Sequence, residues 1–385
     1  MRSQAIISLG NLFASGHYFL VVYIVAPYLA TFMPEDEVGL VVAAGAAVTL
    51  VLFPFIPKLA ARFHPRQMAI ALSVVEIIIL GSLAFSPTAL VAIVLVALQA
   101  LLSPLIAYQL DLLLEASVAE EGVTGQVRTI FLTAENITLI FAPLIVGFLL
   151  GESDAYGRVF LAAAASLIPF ILVLLHSKYL PTRAPSASVS FIETARCMFK
   201  NTDLRASVLA GFVLQFFYHA APLYLPLYLH TALHIPWSDI GWMFSLMLLP
   251  FLLLEYPAGH LADRWFGDKE IMFLGFGIMG ASFAIIGFIP VVGTMGVLVG
   301  VLISSRVGAA LAEAMTEGHF FRRVSEKDAT SVSVYRMIRP LAALAAPLAG
   351  SVLLFVSDYQ GLFLALGVFV ALVGGYAAFR IVDIK

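Results

Sequence analysis

Twelve runs of mostly apolar residues, each about the length of a membrane crossing, decide what this chain can fold into. They fall near 5–31, 38–60, 68–86, 89–113, 129–150, 158–177, 206–231, 239–258, 271–289, 294–314, 329–356 and 361–380. A helix needs about 20 such residues to span the hydrocarbon core. None of the runs shows the polar residue at every third or fourth position that a soluble bundle would need. Only 12% of the 385 residues are charged and 61% are hydrophobic, whereas soluble domains are about one quarter charged. Lipid offers the backbone no hydrogen-bonding partner, so such runs close their bonds internally as α-helices. The expected class is an all-α membrane protein with twelve transmembrane helices.

The first run continues to about Thr31 with no small-residue cleavage site, so it reads as a span and not as a secretory signal. Basic loops stay on the cytoplasmic side. With the N-terminus inside, the inner segments hold 17 of the 21 basic residues and the outer ones only Arg158, leaving Arg306, Arg336 and Arg339 within spans. Both termini are therefore expected in the cytoplasm, with the chain in the inner (plasma) membrane. The longest polar connection, 178–205, opens on Pro181-Thr182-Arg183-Ala184-Pro185-Ser186 and divides the chain into six plus six runs. Within it Phe191, Ile192, Ala195, Met198 and Phe199 share one helical face, which predicts an amphipathic helix on the membrane surface. The expected domains are a bundle over 1–177, a linker over 178–205 and a second bundle over 206–385.

Several chemistries find no support in the sequence. A net charge of -3 makes no case for nucleic acid, and one cysteine, Cys197, makes no intrachain disulfide. There is no phosphate-cradling glycine loop for ATP, no HExxH, and the eight histidines are scattered. No enzyme activity, metal or cofactor is expected.

The two halves repeat one another. The charge-dense stretch Pro257-Ala-Gly259-His-Leu-Ala-Asp263-Arg264-Trp-Phe-Gly267-Asp-Lys269-Glu270 lies between two apolar runs. A weaker copy, Leu59-Ala-Ala61-Arg62-Phe-His-Pro65-Arg66-Gln67, stands 202 residues upstream. The acid pairs Asp111/Glu115 and Glu313/Glu317 show the same offset, at i, i+4 helical spacing. Repeated halves of this kind are typical of secondary transporters.

At this point the chain resembles the major facilitator superfamily. The Gly259-x-x-x-Asp263-Arg264…Gly267-x-Lys269 turn is similar to that family's loop signature, with Phe266 as one extra residue. The first-half copy departs from it, with Pro57, Ala61 and Pro65 at the glycine, acid and second-glycine positions. Span four offers Gln99 where many proton-coupled drug antiporters of the family carry a buried arginine. The resemblance implies two pseudo-symmetric six-helix bundles that rock about a central site lined by spans one, four, seven and ten. It also implies that the turn after span eight meets the start of span five when the inner side is shut.

Charges inside a bilayer are costly, so each invites a functional question. Arg306, Arg339 and Arg336 are candidate cavity residues, with His17, Tyr23, Gln99, Gln215, Tyr218 and His219 from the implied cavity helices. Glu135 is the first-choice proton carrier, followed by Asp111, Glu255 and His17; Glu76, on a helix that is peripheral in the family, is read as structural. The expected gate sets Asp263 against the start of span five near Arg128. Lys269 or Arg264 would then pair with Glu313 or Glu317, and Gly259 would shape the turn. The function expected is secondary transport of a small organic solute by alternating access, with protons as coupling ion and the protein as a monomer in lipid. Drug or metabolite efflux, organic-anion uptake and lipid handling stay open as variants. An open lateral groove between spans five and eight would favour the last. A non-transporting sensor on a transporter fold is the alternative of another class.

Overall fold

A computed structural model describes residues 2–52, 63–85, 87–121, 124–176, 191–264, 267–289, 295–324 and 329–382. The side chains of residues 2–5, 115–121, 124–130, 132, 191–195, 255–256, 258–264, 329–330 and 332–333 lie outside the description. The described residues are helical throughout, joined by short turns. In chain order the helices are α1 (Arg2–Val22), α2 (Val25–Ala30), α3 (Glu35–Leu52), α4 (Pro65–Ala84), α5 (Ala89–Glu121) and α6 (Thr124–Leu150). Then come α7 (Gly157–His176), α8 (Phe191–Lys200), α9 (Thr202–Leu227), α10 (Trp237–Arg264), α11 (Asp268–Ile286) and α12 (Met295–Arg323). The chain continues through α13 (Ala329–Arg336), α14 (Ile338–Val356), α15 (Tyr359–Phe369) and α16 (Gly375–Arg380). Wider π-turns follow α9 at Tyr228–Ala232 and α15 at Val370–Gly374.

Eleven candidate spans are found among the described residues. The remaining expected run, 38–60, is described only as α3, because residues 53–62 are outside the description. Side chains such as Phe148, Phe85 and Phe355 point outward almost fully exposed, an arrangement that water would penalise and lipid does not. The protein is a multi-pass membrane protein.

Several helices outrun the apolar stretches that announce them. α5 continues to Glu121, α12 to Arg323, and α10 to Arg264. The sequence reading of 257–270 as a turn is therefore corrected: most of it is the last turns of α10, and α11 begins already at Asp268. Hydropathy marks the stretch in lipid, while helix length depends on backbone bonding, which continues into water until a breaker arrives. Gly267 is such a breaker; its N–H donates to the Glu270 carboxylate at 3.1 Å, an N-terminal cap for α11. At α4 the His64 ring accepts from Arg66 N–H at 3.3 Å, with Pro65 opening the helix.

The chain forms two compact units, one of Met1–Ser186 with Leu225–Ser245 and the other of Ala187–Tyr224 with Leu246–Lys385. In the first unit α1 packs against α5, α6 and α7, and α4 lies against α5 and α7. Residues 225–245 join this unit through polar and backbone contacts. Ser245 Oγ donates to the Ile140 carbonyl at 2.7 Å and Ser238 N–H to the Gly151 carbonyl at 3.1 Å. Gly147 on α6 and Gly241 on α10 let the two backbones touch: a Cβ built on Gly241 would stand 2.7 Å from the Pro143 carbonyl oxygen. Spans five and eight thus touch backbone to backbone at this end.

In the second unit α11 is the central helix, packed on α12, α15 and α16. The amphipathic helix expected near 191–200 is present as α8. Its Met198 is buried against Phe320, Val324 and Val334, while Phe199 on the same face stays exposed.

Candidate polar sites in the two units

Several buried polar side chains meet within each unit, and those contacts are informative. In the first unit α1, α4 and α5 bring together His17, Glu76, Gln99 and Ser103, all buried, with Glu76 0% exposed. Gln99 Nε2 donates to Ser103 Oγ at 2.9 Å, and Ser103 Oγ donates to Glu76 Oε1 at 3.3 Å. The His17 ring places Nδ1 against the Ala14 carbonyl, so Nδ1 is the donor and Nε2 the acceptor in a neutral ring. Nε2 then faces Ser103 Oγ at 3.4 Å and Glu76 Oε1 at 3.7 Å. Glu76 Oε2 has no hydrogen-bond partner among the described residues. Sequence reading placed His17 and Gln99 near a cavity and Glu76 in a structural role. The structure joins all three and adds Ser103, which nothing in the sequence singled out.

Of the other first-unit candidates, Tyr23 is buried and packs its ring on Phe244 at 5.4 Å between centroids. Glu135 and Asp111 are half-buried. Nearby, Asn11 Nδ2 donates to the Phe131 carbonyl at 3.0 Å, tying α1 to α6.

A second cluster lies where α6 and α7 join, beside the π-turn after α9. Asp154 Oδ1 accepts from His230 Nε2 at 2.7 Å, Tyr156 at 3.3 Å and Trp237 Nε1 at 3.4 Å. Burial, with the Asp154 charge beside it, pushes the Tyr156 hydroxyl well above its ordinary value. A cavity of about 420 Å³ opens beside this group, lined among others by Glu35, Glu152 and His234.

In the second unit Tyr218 on α9 donates to Glu313 Oε2 on α12 at 2.7 Å. One turn on, Glu317 Oε1 stands 3.9 Å from Arg339 Nη2 on α14. His219 lies in the field of Arg339 and holds the Gln215 carbonyl through Nδ1 at 2.7 Å. Gln215, Tyr218, His219, Glu313, Glu317 and Arg336 are all half-buried, and Arg339 is exposed. Two residues expected in a gate, Glu313 and Glu317, thus meet two expected in a cavity, Tyr218 and Arg339. Arg306 is buried on the same α12 with its guanidinium over the fully buried Phe217 ring, 4.7 Å from the centroid. Lys269 lies over the Phe379 ring at 4.4 Å. The side chains of Asp263, Arg264, Arg128 and Glu255 lie outside the description, as does that of His260; Gly259 is described only as part of α10.

Among the described residues, a charged network around His319 was not singled out by the sequence. His319, fully buried near the end of α12, sets Nδ1 3.0 Å from Asp268 Oδ2 and Nε2 3.2 Å from Asp203 Oδ2. Arg322 binds Asp268, Arg323 Nε binds Asp203 Oδ2 at 2.6 Å, and Val382 N–H donates to Asp203 Oδ1 at 2.8 Å. Among the described residues, no group of three or more His, Cys, Asp or Glu side chains is arranged to hold a metal.

Comparison with known proteins agrees with this architecture. The family model described as Major Facilitator Superfamily matches residues 207–384. No curated protein matches. Among solved structures, the nucleoside transporter NupG superposes with a TM-score of 0.79 at 12% identity, covering 99% of each chain. A bacterial homologue of the human lysosomal transporter Spinster, inward-facing and unoccupied, gives 0.78 at 12% identity over 99% of this chain and 97% of that one. A bacterial homologue of the iron transporter ferroportin, inward-facing, gives 0.72 at 17% identity over 98% of each chain. At such identities the likeness is one of fold. The family match covers residues 207–384, and the fold is the one seen in these transporter structures.

Proposed function

We propose that the chain is a secondary active transporter that moves a small organic solute by alternating access, driven by a proton gradient. The observation supporting this most is the mixed polar group of Tyr218, Glu313, Glu317 and Arg339, gathered in the second unit on helices that otherwise present apolar surface. Ionisable groups on membrane-spanning helices invite a functional reading by default. Arg339, Arg336 and Arg306 favour a solute with a carboxylate or another anionic group, since guanidinium groups bind planar anions in pairs of hydrogen bonds. The excess of lysine and arginine in the inner segments orients both termini toward the cytoplasm. The charge-dense stretch 257–270, at the end of α10 and the start of α11, supplies a gate on that side. Glu135 and Asp111, half-buried acids on α6 and α5, belong to the polar lining through which protons and solute pass.

A thermal-shift screen of carboxylates, nucleosides and amphipathic cations tests the reading, because a ligand at a hundred times its Kd stabilises the fold by about 2.7 kcal/mol. Counterflow in proteoliposomes then separates a transporter from a sensor, which would bind without exchange. For the solute so found, Arg339→Ala is expected to weaken binding at least tenfold, about 1.4 kcal/mol, with little effect on melting, since Arg339 is exposed. Unchanged affinity for an anionic solute would remove Arg339 from the site.

A further inference from the structure

We propose that His17 and Glu76 form a proton-exchange site inside the first unit, with Ser103 as the bridge between them. The inference deepens the proton-coupled reading and, in its link to transport, rests on it.

The central group is the Glu76 carboxyl. It is completely shielded, yet only Oε1 accepts a hydrogen bond from a described neighbour, and Oε2 accepts none. An ionised carboxylate buried this way wants two or more donors, and a missing one is expensive. A carboxylic acid in the same place needs fewer, because its protonated oxygen is no longer an anionic acceptor. The base that can exchange that proton is close: His17 Nε2 stands 3.7 Å from Glu76 Oε1 and 3.4 Å from Ser103 Oγ. Its other nitrogen is committed to the Ala14 carbonyl, which leaves Nε2 as the ring's free lone pair.

The step balances within these three groups. Once the Ser103 hydroxyl turns from Glu76 Oε1 to His17 Nε2, it gives its proton to the ring while Oγ takes the proton of the Glu76 acid. The products are a carboxylate, an intact serine and an imidazolium. The reverse transfer restores the neutral pair. Gln99 holds Ser103 in position through its amide hydrogen, 2.9 Å away, and has no proton to exchange. The neighbouring elements bring little competing charge. On α4 itself Ser73, one turn away, is buried and neutral. α7, which packs on α4, carries its titratable groups Arg158 and His176 near its two exposed ends. α5 carries Tyr108 and Asp111 one to two turns beyond Ser103, and α6, packed on α1, carries Glu135. Because His17 and Glu76 are 2% and 0% exposed, exchange with water requires the helices around them to part. That requirement would link protonation to a change in conformation.

A purely structural Glu76, protonated at all times, is the competing account, and infrared difference spectroscopy separates the two. In the purified full-length protein, the carbonyl stretch of a protonated buried carboxyl should appear on lowering pH and vanish on raising it. The band should be absent from Glu76→Gln, and its titration midpoint should move in His17→Gln. A band that persists unchanged over the whole pH range of the folded protein would overturn the proposal, as would a midpoint indifferent to His17→Gln. Should Glu76→Gln not fold, Ser103→Ala takes its place: removing the hydrogen bond to Oε1 must shift the band, and no shift would overturn the assignment. Transport gives the distinguishing readout. Wild-type protein that accumulates solute under a proton gradient, with Glu76→Gln accumulating as much, would sink the site and spare the coupling. Wild-type protein that titrates at Glu76 but accumulates nothing under the gradient would sink the coupling and spare the site.

Discussion

Asp268→Ala is expected to lower the stability of the second unit by about 3–5 kcal/mol, the usual cost of removing one partner from a buried ionic contact. Asp268 begins α11 and Asp203 lies in the first turn of α9, where the helix dipole favours negative charge. Arg322 and Arg323 end α12, where it favours positive charge. Between the acids sits His319 with both ring nitrogens facing carboxylate oxygens, contacts fully satisfied when both nitrogens carry hydrogen. Three helix ends and the backbone of Val382 therefore depend on one network. Deleting Asp268 strips acceptors from His319 and Arg322 together, and the histidine, 0% exposed, has no water to turn to. Thermal melting in detergent measures the loss. The double variant Asp268→Leu with His319→Leu should melt above Asp268→Ala, since well-packed apolar groups replace buried charge at little cost. Wild-type melting in Asp268→Ala would mean that the network adds nothing to stability.

Gly308→Leu should be comparably damaging for a different reason. A Cβ on Gly308 would lie 2.4 Å from Met279 N and 2.6 Å from the Gly275 carbonyl oxygen. Those are backbone atoms of α11, and backbone cannot swing aside as a side-chain tip can. α12 would have to move away from the unit's central helix, and overpacking of this kind costs about 1–3 kcal/mol or more. Close approach through small residues is how membrane helices gain contact when lipid provides no hydrophobic drive between them. Gly300 lies on the same helix with nothing within 4 Å of its would-be Cβ. Gly300→Ala should therefore be neutral or stabilising by up to about 1 kcal/mol through helix propensity. Equal melting of Gly308→Leu and Gly300→Ala would show that the crossing tolerates expansion. Failure of Gly308→Leu to insert, with Gly300→Ala normal, would agree with the prediction.

The sequence by itself determined the solvent, the secondary structure and the family resemblance. Each of these sums local properties along the chain: an apolar run long enough to cross lipid, a proline-rich connection, a turn signature repeated after 202 residues. Polar residues at unusual depth were also legible, so His17, Gln99, Glu135, Arg306 and Tyr218 stood out. Which of them meet was decided only by tertiary structure. His17 and Glu76 are 59 residues apart, and His319 and Asp203 are 116 apart. Their contact depends on how each helix is rotated about its own axis. In a soluble helix that rotation is written as an apolar stripe. In lipid both faces of a helix are apolar, the stripe disappears, and rotation is set by small residues and polar partners on neighbouring helices. That is why the charged side chains could be found from the sequence, while the Glu76 pairing and the His319 network could not.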